Sequence, residues 1–186
     1  LSKHVSGTYQ SANLAKTMLD DSSVVYVFDS NMAAFGNEML SLELIEMIKN
    51  KADANMIIER INSLLETSNL IFTVENLVSL FRSGRLSKAK AAIGTVMRIK
   101  PLIQMDDGKL DLYKSARTHA KVIGEIVNKM IDTTKGFKTI HVRILSHNSI
   151  EQAKLLEEEI KNVSYIVILL TNLYKKLIKT SVFIFK

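Results

Sequence analysis

Hydrophobic and polar positions change period several times along the chain, and each change marks an element. Residues 24–28 read Val-Val-Tyr-Val-Phe, an apolar run bounded by Ser23 and by Asp29 and Ser30. That is the pattern of a strand buried on both faces. Before it, Ser6 caps a helix in which Gly7 allows a tight turn and Tyr9, Ala12, Ala15 and Leu19 line one face. After it, Phe35, Met39, Leu42, Ile45 and Ile48 predict a long helix with those residues inward. Asp53 then caps a helix carrying Ile57, Ile61, Leu64 and Leu65. Helix, strand, helix, helix in this order predicts a partial α/β/α layer over residues 1–68. Asp29 and Ser30 would end its strand, either at the ligand edge of an open sheet or as plain helix caps.

Residues 69–186 predict a second α/β domain with a mixed sheet and a β-hairpin. A β-type run (Leu70, Ile71, Phe72, Val74) leads into a short helix with Leu77, Val78, Leu80 and Phe81 inward, stopped by Gly84. Ser87 opens a second helix with Ala89, Ala92, Ile93, Val96 and Met97 at three- and four-residue spacing, and Pro101 closes it. Asp106-Asp107-Gly108 lies between two alternating runs, and Asp-Gly supplies the positive φ of a tight hairpin turn. A helix follows near Thr118 with Val122, Ile123, Ile126, Val127, Met130 and Ile131 on one face. Residues 139–145 alternate as a half-buried strand, Ile140, Val142 and Ile144 inward, His141 and Arg143 outward. Ser149 and Gln152 predict a capping box. Residues 165–170 predict a buried strand, and the closing Val-Phe-Ile-Phe is ambiguous. No Pro- or Gly-rich linker separates the halves near Asn69, which predicts close apposition.

Composition narrows the chemistry. With 186 residues, 47% of them hydrophobic, the chain can bury a core, and a net charge of +6 favours anionic partners. The absence of Cys excludes disulfides, thiolate nucleophiles and Cys-ligated metals. His4, His119, His141 and His147 have no metal-ligand spacing, and neither a phosphate-binding loop nor a dinucleotide-binding glycine pattern occurs. No apolar run reaches the roughly 18 residues of a membrane span and no secretory pattern is visible, so a cytoplasmic location is expected. Leu1 directly precedes a helix-opening motif, so the chain is expected to begin in mid-fold.

Two features remain. Arg82, Arg85, Lys88 and Lys90 crowd the junction of two helices, and Lys88 and Lys90 stand in a first turn, where the helix dipole disfavours cations. They form either a solvated turn or a basic knob for an acidic or phosphate-bearing partner. Ser6 and Thr8 set hydroxyls beside the N–H groups of a helix start, which is either an ordinary cap or an anion site. Anion site, apolar helix surface and basic cluster together suit a carrier for an amphipathic ligand. A basic nucleic-acid-binding module, built on the helix-turn-helix-like pair around Arg82 and Arg85, and a fragment without function are the alternatives.

The segments SGTYQSA (residues 6–12), VYVFDS (25–30), SGRLSKAKAAIG, IKPLIQMDDGKL and KSARTHAK (114–121) resemble the DegV family of bacterial fatty-acid-binding proteins. The resemblance implies an α/β/α domain and a second α/β domain with a fatty acid buried between them. It implies that Ser6 contacts the carboxylate, with Gly7 and Thr8 beside it, and that there is no cofactor beyond the fatty acid. It also implies an accessory protein rather than an enzyme, presenting the carboxylate to a separate fatty acid kinase, with Arg82, Arg85, Lys88 and Arg117 as docking candidates. No nucleic acid is expected on this reading. The family's N-terminal portion with a Thr-Ser motif, and its Gly-Thr-His-Thr-Gly-Pro-Gly segment, have no match here; the latter's place reads TNLYKKLIKT. Two of three implied carboxylate contacts are therefore expected to be lacking, and lipid binding weakened.

Overall fold

The computed structural model describes residues 1–75, 77–86, 99–137, 139–146, 149–163, 166–172 and 180–185, the last two stretches as backbone. Three helices come first: α1 (Thr8–Thr17), α2 (Ala34–Lys49) and α3 (Ala54–Thr67). There follow β1 (Asn69–Thr73), α4 (Val78–Arg82), β2 (Lys100–Asp106), β3 (Lys109–Ala116), α5 (His119–Thr133), β4 (Thr139–Ser146), α6 (Ile150–Lys161), β5 (Ile166–Asn172) and β6 (Thr180–Phe185). The described strands form one mixed sheet in the order β3-β2-β1-β6-β4-β5. Every pairing is antiparallel except β4 with β5, which α6 joins as a β-α-β unit.

Side chains alternate along each strand, so the two faces of this sheet carry two cores. On one face Ile71, Leu102, Ile140, Val142 and Ile144 pack with Val122, Ile126 and Met130 of α5 and Leu156 and Ile160 of α6. On the other, Leu70, Phe72, Ile103 and Leu110 pack with Met39 and Leu40 of α2, Leu64 of α3, and Met32, Leu77 and Leu86. α2 and α3 thus cover one face of the sheet and α5 with α6 cover the other.

Several expectations meet their counterparts. Asp107 (φ 45°) and Gly108 (φ 72°) form the turn between β2 and β3, with Asp106 opposite Lys109. Gly84 ends α4 at φ 71°. Asp53 Oδ1 accepts the Met56 N–H at 2.9 Å, so it caps α3 as expected, and the helix expected near Thr118 is α5, where Thr118 Oγ1 accepts the Lys121 N–H at 3.2 Å. The closing apolar run is β6, which lies between β1 and β4.

Others are corrected. Residues 24–28 form no strand: Val24 stands in a turn closed by the Val25 N–H to Ser22 O, and Val24 and Tyr26 are exposed, because no described strand lies beside them. Leu42, Ile45 and Ile48 of α2 face solvent, since this helix meets the sheet through Gly36, Met39 and Leu40. α1 buries no residue. Arg143 is buried rather than outward in water, because α2 covers the second face of β4. Its Nη2 meets Glu38 Oε1 at 3.1 Å, its Nη1 meets Met39 Sδ at 3.3 Å, and its guanidinium lies 5.6 Å from the Phe35 ring centre. Ser149 precedes α6 without a side-chain capping bond; its ψ of 43° departs from the extended geometry with which Asp53 and Thr118 cap. The helix expected from Ser87 lies outside the described residues, as do Lys88 and Lys90.

Candidate functional site

The N-terminal turn is held from three directions. Ser2 is fully buried; its N–H donates to Met32 O at 2.8 Å and its Oγ donates to Gly108 O at 2.5 Å. Asp29 Oδ1 accepts the N–H groups of Lys3 at 3.2 Å and Asn31 at 3.0 Å, and Lys3 Nζ lies 3.5 Å from Asp29 Oδ2. Asp29 therefore ties two loops together rather than capping α2, whose cap residue is Ala33. Ser2 O in turn accepts the N–H groups of Val5 and Ser6, at 3.2 and 3.1 Å. A hairpin tip more than a hundred residues away in sequence thus fixes where Val5 and Ser6 sit.

Ser6 is not the cap residue of α1, a correction to the sequence reading. Gly7 holds that position, and Ser6 Oγ bends over the helix start, accepting the Thr8 N–H at 3.2 Å and sharing a 2.7 Å hydrogen bond with Thr8 Oγ1. Two hydroxyls are thereby paired beside the open end of a ten-residue helix, where backbone N–H groups favour negative charge.

Beside this turn lies a cavity of about 590 Å3, within the usual range of small-molecule sites. Phe72 and Val74 of the β1 region and Leu110 of β3 contribute from the sheet, Leu80 from α4, and Val5 with Ser6 from the N-terminal turn. Its walls are mostly apolar, with Ser6, Ser79, Glu75 and Arg85 supplying polar groups. Arg85 Nε donates to Val5 O at 3.0 Å, joining the residues after α4 to the turn that carries Ser6. This bond places Arg85 beside the cavity while its side chain stays exposed. Gly84 creates the reversal behind it: Arg85 and Leu86 N–H groups both reach back to Leu80 O, at 3.1 and 3.3 Å.

The remaining candidates lie apart from the cavity lining. Gly7 and Thr8 flank Ser6 without lining it, and Arg82 is exposed at the end of α4. Arg117 is exposed between β3 and α5, near Lys114 and Lys121. Tyr113 is the extra residue of a bulge in β3, since Leu102 pairs with Lys114 and Ile103 with Leu112. The ammonium groups of Lys114 and Lys129 lie 5.2 and 4.8 Å from its ring centre. A 2.6 Å hydrogen bond to Glu125 raises the pKa of Lys114 above its ordinary value, so this part of the basic surface stays charged. Among the described residues no group of three or more His, Cys, Asp or Glu forms a metal-binding cluster, and no helix is long and apolar enough to cross a membrane.

A family model described as uncharacterised protein, DegV family, matches residues 1–173. The chain belongs to the DegV family. Protein DegV of Bacillus subtilis is 34% identical over 160 residues, 85% of this chain and 57% of its own length. A DegV domain-containing protein of Staphylococcus aureus is 28% identical over 162 residues, 87% of this chain and 56% of its own. The chain therefore spans little more than half the length of these DegV relatives. Among solved structures, a DegV-family protein from Thermus thermophilus, described for its fatty acid binding, matches 100% of this chain and 69% of its own at TM-score 0.90 and 24% identity. Bacillus subtilis DegV, described as a fatty acid binding protein, matches 100% of this chain and 68% of its own at TM-score 0.79 and 27% identity. The DegV fold accounts for the mixed α/β architecture.

Walls such as Phe72, Val74 and Leu110 carry no local signal of a site, because each reads as an ordinary strand residue. The SGT turn, with its hydroxyls at a helix start, and Arg85, within its basic cluster, were legible as polar chemistry.

Proposed function

We propose that this chain binds a fatty acid in the cavity above β1 and β3, with the acyl tail against Phe72, Val74, Leu80 and Leu110 and the carboxylate toward Ser6. The observation that carries the reading is a mostly apolar cavity whose lining includes a hydroxyl and a guanidinium, Ser6 and Arg85, in a chain of the DegV family. Burial of each methylene contributes about 0.8 kcal/mol, so the tail supplies most of the affinity. Ser6 and Arg85 contribute direction: a carboxylate is stabilised by a hydroxyl donor, by a cation and by the α1 start, and an uncharged chain end is not. Gly7 leaves the approach to Thr8 open, since nothing lies within 4 Å of where a Cβ would stand.

In this reading the chain is an accessory protein that works in the cytoplasm and uses no cofactor of its own. A separate fatty acid kinase supplies ATP; a carboxylate oxygen attacks the γ-phosphorus, giving acyl phosphate and ADP. Arg82 and Arg117 are exposed cations suited to docking that kinase near its phosphates, and Lys88 belongs to the same proposal by sequence alone.

Retention of radiolabelled palmitate by the purified chain tests the site. Ser6→Ala and Arg85→Met should each weaken retention while leaving the melting temperature nearly unchanged, because Arg85 is exposed and Ser6 only half-buried. Unchanged retention in both variants would remove this cavity from the function.

A further inference from the structure

Ala33 and Ala34, at the start of α2, belong to the cavity lining, and Ala34 is also exposed, so this turn stands where the cavity meets water. Its backbone is strained. Ala34 has a φ of 46°, in the left-handed region that a Cβ disfavours. Among the described residues, Asn31, Lys51 and Asp107 are the other non-glycine residues at positive φ. Asn31 and Asp107 carry side chains that tolerate it, and Lys51 follows the C-cap of α2, where helices often end in this way. Neither reason applies to Ala34, which begins the helix. The turn also lacks local support: its cap residue, Ala33, makes no side-chain capping bond, and the first turn holds no acidic residue.

What holds the turn comes from the sheet. Arg143, buried on β4, meets Glu38, Met39 and the Phe35 ring, all within the first two turns of α2. This guanidinium is not part of the cavity lining. A buried ion pair contributes little net stability, because desolvation offsets the attraction, yet removing one partner is strongly destabilising. The pair is therefore a fastening that is either made or lost. Strained backbone beside a ligand site persists only where the surrounding structure holds it. We propose that the first turn of α2 is a gate on the cavity, strained at Ala34 and latched by Arg143 through Glu38, and that ligand enters and leaves while the latch is released. The gate rests on the fatty acid reading for what passes it; the latch rests on the geometry of α2 and β4 alone.

Amide hydrogen exchange of the ligand-free chain tests the latch. The reporters are the Glu38 and Met39 amides, whose helical bonds reach back to Ala34 and Phe35, with Ile126 and Met130 of α5 as the reference. Glu38→Gln should speed exchange at the reporters by about tenfold and Ala34→Gly should slow it by about fivefold, with α5 unchanged in both. Arg143→Met, which leaves no buried charge, should act as Glu38→Gln does and serves if that chain does not fold. The gate is read from palmitate uptake and release. Both rates should rise in Glu38→Gln and both fall in Ala34→Gly, with the affinity nearly constant, whereas a merely weakened wall would lose affinity. Exchange at Glu38 and Met39 that is the same in all these chains, or that follows α5, overturns the latch. Palmitate rates that stay fixed while exchange changes overturn the gate. If no chain takes up palmitate, the fatty acid reading fails, and exchange alone decides the latch.

Discussion

Replacing Gly108 by Ala tests whether the hairpin tip positions the cavity. Gly108 sits at φ 72°, and a Cβ there would stand 2.7 Å from Ser2 Oγ and 2.8 Å from Asn31 Oδ1. The left-handed backbone costs a non-glycine residue about 1–2 kcal/mol. Ser2 is fully buried, so displacing its hydroxyl from Gly108 O leaves polar groups unsatisfied, at about 1–3 kcal/mol. A central value of about 3 kcal/mol lowers the melting temperature of a domain this size by about 6–12 °C. Because Ser2 O also holds the Val5 and Ser6 N–H groups, palmitate retention should fall along with stability. Asp107→Gly is the control: it removes a side chain from the other positive-φ turn position and should be neutral or slightly stabilising. The assays are thermal melting by circular dichroism and palmitate retention. A Gly108→Ala chain that melts within about 2 °C of the original and keeps its lipid would refute the idea that the tip supports the Ser2 turn.

The capping geometry separates two serine- and aspartate-headed helices. Asp53→Ala should cost about 1 kcal/mol, whereas Ser149→Ala should change little, as its hydroxyl makes no capping bond; urea midpoints at constant slope read the difference. At the ion pair between β4 and α2, Glu38→Ala deprives a buried guanidinium of this carboxylate and should cost about 1–3 kcal/mol. Arg143→Met keeps the volume and removes the charge, and should cost less than Glu38→Ala in the same urea experiment.

Local chemistry was legible where one stretch of chain determines its own geometry. Asp107-Gly108 dictates a primed turn, Asp53 caps α3, and α5 reads correctly from the spacing of Val122, Ile126 and Met130. Features that depend on distant partners were not. The apolar run at 24–28 signals a buried strand only when another strand lies beside it, and none of the described strands does. Arg143 alternates with apolar neighbours as a solvent-facing residue would, because a sequence pattern cannot register that α2 covers that face. The closing run becomes an inner strand through pairs such as Ile71 with Val182, more than a hundred residues apart. For the candidate site, Ser6 stood out by its own motif. The contact of Arg85 with Val5 O, eighty residues away, had no signal in the local pattern.

Native mass spectrometry of the purified chain, followed by lipid extraction, tests the fatty acid reading most directly. The account predicts a population heavier than the bare chain by one fatty acid, released on extraction, and restored when palmitate is added to delipidated protein. A folded chain that carries no lipid and takes up no added palmitate would contradict it.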